Sequence, residues 1–331
     1  MSTRRNFIAG AALLAATAVS GSAIAQTAPP AAGYPNRAIK FYAGFPPGGV
    51  ADIVARVIAP QLATRLGQSV VIDNRAGAGG VIGVDAVAKS PPDGYSMGFG
   101  VSGALTSSVT LSPRLPYDPT KDIAPISLVV SNPLVLVVPS SSNIATLKEF
   151  IAAAKAAQGK FNYGTAGAGT AMHLAGELLE QSAGFDMAHV AYKGSSPAAV
   201  DLLGGHLTAA VLDLATAKPH ILSSRFKALG QTGAHRSALA PDIPTFAEAG
   251  VPGYEFNSWF GLVMPAATPA PILTRVHTEL VAVLRDPAVR QQLMDAGTEP
   301  APGTPAEMAA QIKREIELTA RLIKAAGIKI D

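Results

Sequence analysis

Apolar and polar positions along this chain follow two periods in turn. The short apolar run Ile39 to Ala43 predicts a strand. Gly44-Phe45-Pro46-Pro47-Gly48-Gly49 predicts a turn. Val50 to about Leu66 then predicts a helix, with Ile53, Val54, Val57, Ile58 and Leu62 on one side at the 3.6-residue period. Pro60 inside it is expected to bend it. Val70–Ile72 predicts a second strand, and Asn74–Gly80 a turn into a helix ending near Lys89. Pro91-Pro92-Asp93-Gly94 predicts another turn, and Tyr95–Gly100 a third strand. This strand–turn–helix repeat argues for an α/β domain with a largely parallel sheet.

The same grammar resumes later. Leu134–Val138 reads as a strand, and Thr146–Ala157 as a helix that Thr146 caps with Glu149 three residues on. Asn162-Tyr163-Gly164 enters a second Gly-rich turn, Thr165–Thr170, followed by a helix from Ala171 to about Ala183. Ala188–Tyr192 reads as a strand, Lys193–Ser196 as a turn, and the residues through Leu203 as a helix. Ala209–Leu212 and Ala228–Gly230 read as strands. Residues 233–257, rich in Pro, Gly and Ala, read as connecting loops, and helices are expected at roughly 269–284, 286–296 and 304–326. No short-period repeat is present, but the two halves share one design of strand, Gly-rich turn and helix.

The first residues read as an address. Arg4 and Arg5 precede an apolar stretch from Ile8 to about Val19, and Gly21–Ala25 offers the small residues a signal peptidase accepts. Cleavage is expected after Ala25. The apolar run is too short for a membrane span. The paired arginines followed by Phe7 and Ile8 resemble a twin-arginine signal, with general secretory export the alternative. Residues 26–34 read as a flexible leader, and no later segment has the length and apolarity of a span.

Composition narrows the function classes. Of 331 residues, 48% are hydrophobic, enough for a core, and the length suits two domains or one large one. The absence of cysteine excludes disulfides, thiolate zinc sites, iron–sulfur clusters and thiol catalysis. The formal net charge is only +3, and two of those charges belong to Arg4 and Arg5. No dense basic stripe exists, so nucleic acid is not an expected partner.

Catalytic motifs fail at specific positions. A dinucleotide G-x-G-x-x-G starting at Gly77 meets Ile82 where glycine is needed, and no acid lies about 20 residues on. Gly159-Lys160 is followed by Phe161, not the Ser or Thr of a Walker loop. Residues 100–104 and 194–198 each end in Ala where G-x-S-x-G needs Gly. None of the six histidines is paired at i,i+4, and no H-E-x-x-H occurs. No catalytic residue, cofactor or metal site is therefore expected, and a periplasmic hydrolase using Ser102 or Ser196 is the weaker alternative.

The Gly-rich turns suit another task. Phe45–Gly49 leads straight into a helix, whose first N–H groups are unpaired and carry partial positive charge. Glycine lets an anion approach that backbone closely. Thr165–Thr170 offers the same with two hydroxyls. Two such turns in two α/β halves suit a ligand clamped between them, although both also serve as plain strand-to-helix connections.

The order of blocks carries a resemblance. They are Phe45-Pro46-Pro47-Gly48-Gly49-Val50-Ala51-Asp52, Val70 through Gly80, Pro92-Asp93-Gly94-Tyr95, and Asn162-Tyr163-Gly164 through His173-Leu174. Val190-Ala191-Tyr192-Lys193-Gly194 with Pro197, Asp201 through Gly205, Pro219-His220-Ile221, Pro244-Thr245 and Trp259-Phe260-Gly261-Leu262 with Pro265 follow. Together they resemble the Bug family, the TctC-like substrate-binding receptors of tripartite tricarboxylate transporters, over nearly the whole mature chain.

The resemblance implies a type II periplasmic-binding-protein fold: two α/β lobes joined by two crossovers, with a ligand cleft between them. Residues 35–136 and 259–331 would form lobe 1, and 137–258 lobe 2. It implies a periplasmic receptor, a monomer, that binds a small organic carboxylate and hands it to membrane permease subunits. The ligand would be a di- or tricarboxylate, an acidic amino acid or an aromatic carboxylate. A ligand-sensing adaptor is the alternative on the same fold.

Residue by residue, Phe45, Pro46, Gly48 and Gly49 would form the first clamp, with Phe45 covering the ligand or serving the core. Asp52 would touch the ligand or favour the helix start. Ser102 would face the cleft. Thr165, Ala166, Gly169 and Thr170 would form the second clamp, supported by His173. Lys193 and Gly194 stand at a strand end, where Lys193 is open to a solvated surface role. Asp213 would border the pocket or make a structural hydrogen bond.

Overall fold

The computed structural model describes residues 33–328. The export signal expected over residues 1–25 and its cleavage site lie outside the described residues, as does the leader before Gly33.

The chain builds its first sheet from β1 (Ile39–Ala43), α1 (Val50–Leu66), β2 (Val70–Asn74), α2 (Val81–Ala88) and β3 (Ser96–Val101). β1 lies between β2 and β3 and is parallel to both. The α1 residues Val54, Ile58 and Leu62 are buried, as the period predicts. The helix runs through Pro60 and ends where Gly67, in the left-handed region, donates its N–H to the Ala63 carbonyl.

Two short helical turns follow β3: α3 (Ser102–Leu105) and α4 (Ser107–Leu111). Next, β4 (Ile123–Asn132) runs directly into β5 (Leu134–Pro139), with Pro133 alone between them. β4 belongs to the first sheet and β5 to the second. Leu134 to Leu136 pair with β8 and β9 of the second sheet, three positions upstream of the 136/137 division anticipated from the sequence.

The second lobe continues with α5 (Leu147–Ala157), β6 (Asn162–Thr165), α6 (Ala171–Ala183), β7 (Ala188–Ala191), α7 (Ser195–Leu203), β8 (Ala209–Asp213), α8 (Leu214–Leu222) and β9 (Phe226–Gln231). Its strand order is β7-β6-β8-β5-β9. β6 is parallel to β7 and β8, and β5 is antiparallel to β8 and β9. Along β5 the side chains alternate between two cores: Leu134, Leu136 and Val138 face one, Val135 and Val137 the other. A strand buried on both faces reads as a continuous apolar run. Thr146 and Glu149 form a reciprocal capping box at the start of α5.

Residues 232–257 carry the chain back to the first lobe, where β10 (Ser258–Pro265), α9 (Ala270–Arg285), α10 (Pro287–Asp295), β11 (Glu299–Pro300) and α11 (Pro305–Ala326) complete it. The first sheet has the order β11-β4-β10-β3-β1-β2, and β10 is antiparallel to both β3 and β4. Two α/β lobes with mixed sheets are thus linked by two crossovers. No helix among the described residues is long and apolar enough to cross a membrane.

Candidate functional site

Four strand ends of the two lobes open towards each other. After β1, β3, β6 and β7 the chain turns into α1, α3, α6 and α7, and those turns surround a cavity of about 80 Å3. Phe45, Pro46, Pro47, Gly49, Val101 and Phe260 supply much of its first-lobe wall. Ala166, Thr170, Ala171, Met172 and residues 194–197 supply the second-lobe wall.

Helix starts dominate its electrostatics. At α6 the Thr170 hydroxyl accepts the His173 N–H, at 3.4 Å, which leaves Ala171 and Met172 with no backbone partner for theirs. At α7 no side chain caps the helix, and the N–H groups of Ser195 and Ser196 are likewise without a partner. Both pairs line the cavity, and no charged side chain does. An anion placed here would meet several unpaired N–H groups and the positive ends of two helices.

Hydroxyls add to this. Ser102 and Ser258 line the cavity and make no side-chain hydrogen bond within the described residues. Ser196 donates to the Gly48 carbonyl of the other lobe at 3.3 Å. Ser107 donates to the Gly169 carbonyl, also across the lobes, at 2.6 Å. The lobes therefore touch on two sides of the cavity, and it is a closed cleft.

Several expected site residues line it: Phe45, Pro46, Gly49, Ser102, Ala166, Thr170 and Gly194. Phe45 also packs against the core cluster of the second lobe, so it joins the lobes as well as walling the cavity.

Others stand behind the wall. Gly48, in the left-handed region, donates its N–H to Oδ2 of Asp52 at 3.1 Å. Asp52 is buried and also accepts from Arg56 at 2.7 Å and Asn74 at 3.2 Å. Burial pushes its pKa up, but the bonds from Arg56, Gly48 and Asn74 outweigh that and hold it below the usual carboxylate range. With its oxygens so engaged, Asp52 fixes the first turn and is not part of the lining.

The second turn has a comparable support. Thr165 is buried, accepts the Gly167 N–H at 3.2 Å and pairs with His189 Nε2 at 2.7 Å. Gly169 donates its N–H to His173, so that N–H is not free for a ligand. His173 stacks on His189 with ring centroids 3.8 Å apart, and burial with the neighbouring His173 pushes His189 down to about 4. Asp213 is fully buried one layer out, accepting from Ser195 Oγ at 2.5 Å and from the Thr216 N–H at 2.7 Å. It caps α8 and holds Ser195, and does not touch the cavity. Lys193 lines a second, larger cavity beside the first.

Sequence reasoning missed Met172, Ser195, Ser258 and Phe260 as lining residues. Ser258 and Phe260 flank Trp259 on β10, a strand not predicted. Among the described residues no histidine hydrogen-bonds to Ser102 or Ser196, and no group of three or more His, Asp or Glu is placed to hold a metal ion. Such a site can bind and orient an anion. The carboxylate that meets a lining serine is Asp213, which accepts from Ser195 Oγ while also capping α8.

Residues 54–328 match the family described as "Tripartite tricarboxylate transporter family receptor". The chain is 37% identical to "Protein BugT" of Bordetella pertussis over 298 residues, 90% of this chain and 91% of that one. It superposes on the "periplasmic binding protein BugD" with a TM-score of 0.85 and 32% identity, covering 89% of this chain and 99% of the other. It also superposes on "R. palustris Rpa4515 with adipate" with a TM-score of 0.86 and 34% identity, again covering 89% and 99%.

Proposed function

This chain belongs to the tripartite tricarboxylate transporter receptor family, and from that premise we propose that it captures a small organic carboxylate in the periplasm for a membrane permease. The observation that carries the reading is the pair of uncapped N–H groups at each of α6 and α7, converging on an uncharged cavity between the lobes. A carboxylate head seated there gains several charge-assisted hydrogen bonds without an arginine. Ser102 and Ser258 supply further donors, and Phe45, Val101 and Phe260 enclose the carbon skeleton.

The mechanism follows from the position of the groups. The α6 and α7 starts belong to one lobe, while Ser102, Ser258 and Phe45 belong to the other. A ligand that contacts both sets binds the closed form better than the open one, so it shifts the population toward closure. The permease would recognise that closed form. The arginine pair near the N-terminus supports export, as does the likeness to a protein described as the periplasmic binding protein BugD.

Thermal unfolding of the purified mature protein against a panel of carboxylates tests this. The panel holds straight-chain diacids including adipate, acidic amino acids and aromatic acids. A ligand at 100 times its dissociation constant adds about 2.7 kcal/mol of stability, a clear rise in Tm. If no acid shifts Tm and a chromogenic ester is turned over until Ser102→Ala abolishes it, the receptor reading fails.

A further inference from the structure

The inner cavity is not the end of the cleft. A second cavity of about 540 Å3 adjoins it, sharing Phe45, Gly79 and Ala166 as common wall. Its first-lobe side includes α4 and the following turn with Ser108, Ser112 and Arg114. Its second-lobe side includes Ala191, Tyr192 and Lys193 at the end of β7.

The charges here differ from those of the inner cavity. Arg114 and Lys193 both line the outer one, and no acid does. Neither forms an ion pair among the described residues, whereas Arg56, Arg65, Arg75, Arg236 and Arg275 all do. Both are exposed, so burial does not strip their hydration. They also come from opposite lobes.

We infer that the outer cavity is a second anion subsite, in which Arg114 and Lys193 take the far carboxylate of a diacid whose near carboxylate sits at the starts of α6 and α7. This inference rests on the receptor reading above. Phe45 stands between the two cavities, so the carbon chain must pass its ring, and a diacid too short to do so cannot reach both ends. Because the two cations belong to different lobes, the far carboxylate ties the lobes together. Chain length and the second charge then decide how firmly the cleft closes, while the inner cavity alone holds any acid by its head.

Plain electrostatic steering makes a different prediction. Two solvated cations at the cleft mouth would raise the association rate of every anion, monoacid or diacid. A subsite acts only on ligands that carry a second carboxylate.

The test is calorimetric titration with diacids of four to eight carbons and the monoacids of matching length. The proteins are wild type, Arg114→Gln, Lys193→Gln and the double variant, at low and high salt. Adipate is expected to bind wild type at least tenfold more tightly than hexanoate. Each single variant should lose about fivefold for the best diacid and stay within twofold for its monoacid. The salt dependence of diacid binding should shrink in the double variant, and small-angle scattering should show compaction by the diacid lost there. Equal loss for monoacid and diacid, or no loss for either, overturns the subsite while the receptor reading stands. If no acid of either series binds wild type, the receptor reading and the subsite fall together.

Discussion

Gly169 donates its backbone N–H to Nδ1 of His173 over 3.1 Å, within the turn that opens α6. An accepting nitrogen carries no proton, so the ring proton sits on Nε2, 3.3 Å from the Glu177 carboxylate. Glu177 is in turn held by the Tyr163 hydroxyl at 3.0 Å. The turn beside the inner cavity is therefore set by a chain of buried and half-buried groups that does not line it.

His173→Leu is expected to leave the fold intact and to weaken carboxylate binding about five- to tenfold, the effect of one net hydrogen bond on the placement of the turn. His173→Asn keeps an acceptor near the Nδ1 position and should recover most of the affinity. Calorimetry on both variants decides it. Wild-type affinity in His173→Leu would show that the turn holds its shape unaided.

Gly103 tests whether binding requires the closed form. Its backbone is ordinary, but an added Cβ would lie 2.7 Å from the Gly169 carbonyl oxygen and 3.0 Å from Thr170 Cα, both across the cleft. Within its own lobe the methyl meets nothing as close. Gly103→Ala should thus keep or slightly raise the unliganded Tm, since Ala favours a helical turn over Gly by about 1 kcal/mol. It should lose at least tenfold in affinity and fail to compact with ligand in small-angle scattering. Normal compaction in that variant would refute the closed geometry.

Much of this architecture was legible in the sequence because local chemistry agreed with the final fold. The β1–α1 unit announces itself by a short apolar run, glycines and a 3.6-residue period, and α6 by the Gly-rich turn that precedes it, whereas β6 carries no apolar run. β10 did not, since it is buried along its whole length and carries Gly261 and Pro265, so it shows no alternation. β4 was hidden for a related reason: Pro125 interrupts it, and the sheet accepts that proline beside a register shift opposite Leu262 and Val263. The turns of the site were legible as helix starts. Which side chains face the cavity was not, because that depends on how two lobes meet. Asp52 stands next to the first clamp in sequence and Asp213 at the end of β8, yet both point into hydrogen bonds that fix helix starts. Ser258 and Phe260 reach the cavity only because a strand far along the chain returns between β3 and β4.

Asp213 couples two helix starts. One carboxylate oxygen caps α8 through Thr216, and the other holds Ser195 at the mouth of α7. Asp213→Ala removes the cap, worth about 1 kcal/mol, and leaves a buried hydroxyl without its partner, costing a further 1–2 kcal/mol or so. Denaturant unfolding should show a loss of about 2–3 kcal/mol. Carboxylate affinity should fall as well, because Ser195 is no longer fixed. A loss below about 0.5 kcal/mol would mean the pair contributes little.

Glu180 gives a pH dependence of definite sign. It is buried on α6, with Oε2 accepting the Met187 N–H at 2.5 Å, while Oε1 has no partner among the described residues. Burial raises its pKa to about 8, with the nearby Glu177 and Asp186 charges adding to the effect, against an ordinary value of 4.5. Below pH 4.5 the folded and unfolded chains both hold the proton. Between 4.5 and 8 the unfolded chain releases it and the folded chain keeps it, so this group makes stability fall as pH rises through that window. Glu180→Gln removes the ionisation and keeps an acceptor for Met187. Its Tm should match that of wild type near pH 4, exceed it increasingly toward pH 8, and keep a constant advantage above. A wild type more stable than the variant at pH 9 would show that the carboxylate is ionised and satisfied in the fold, contrary to this account.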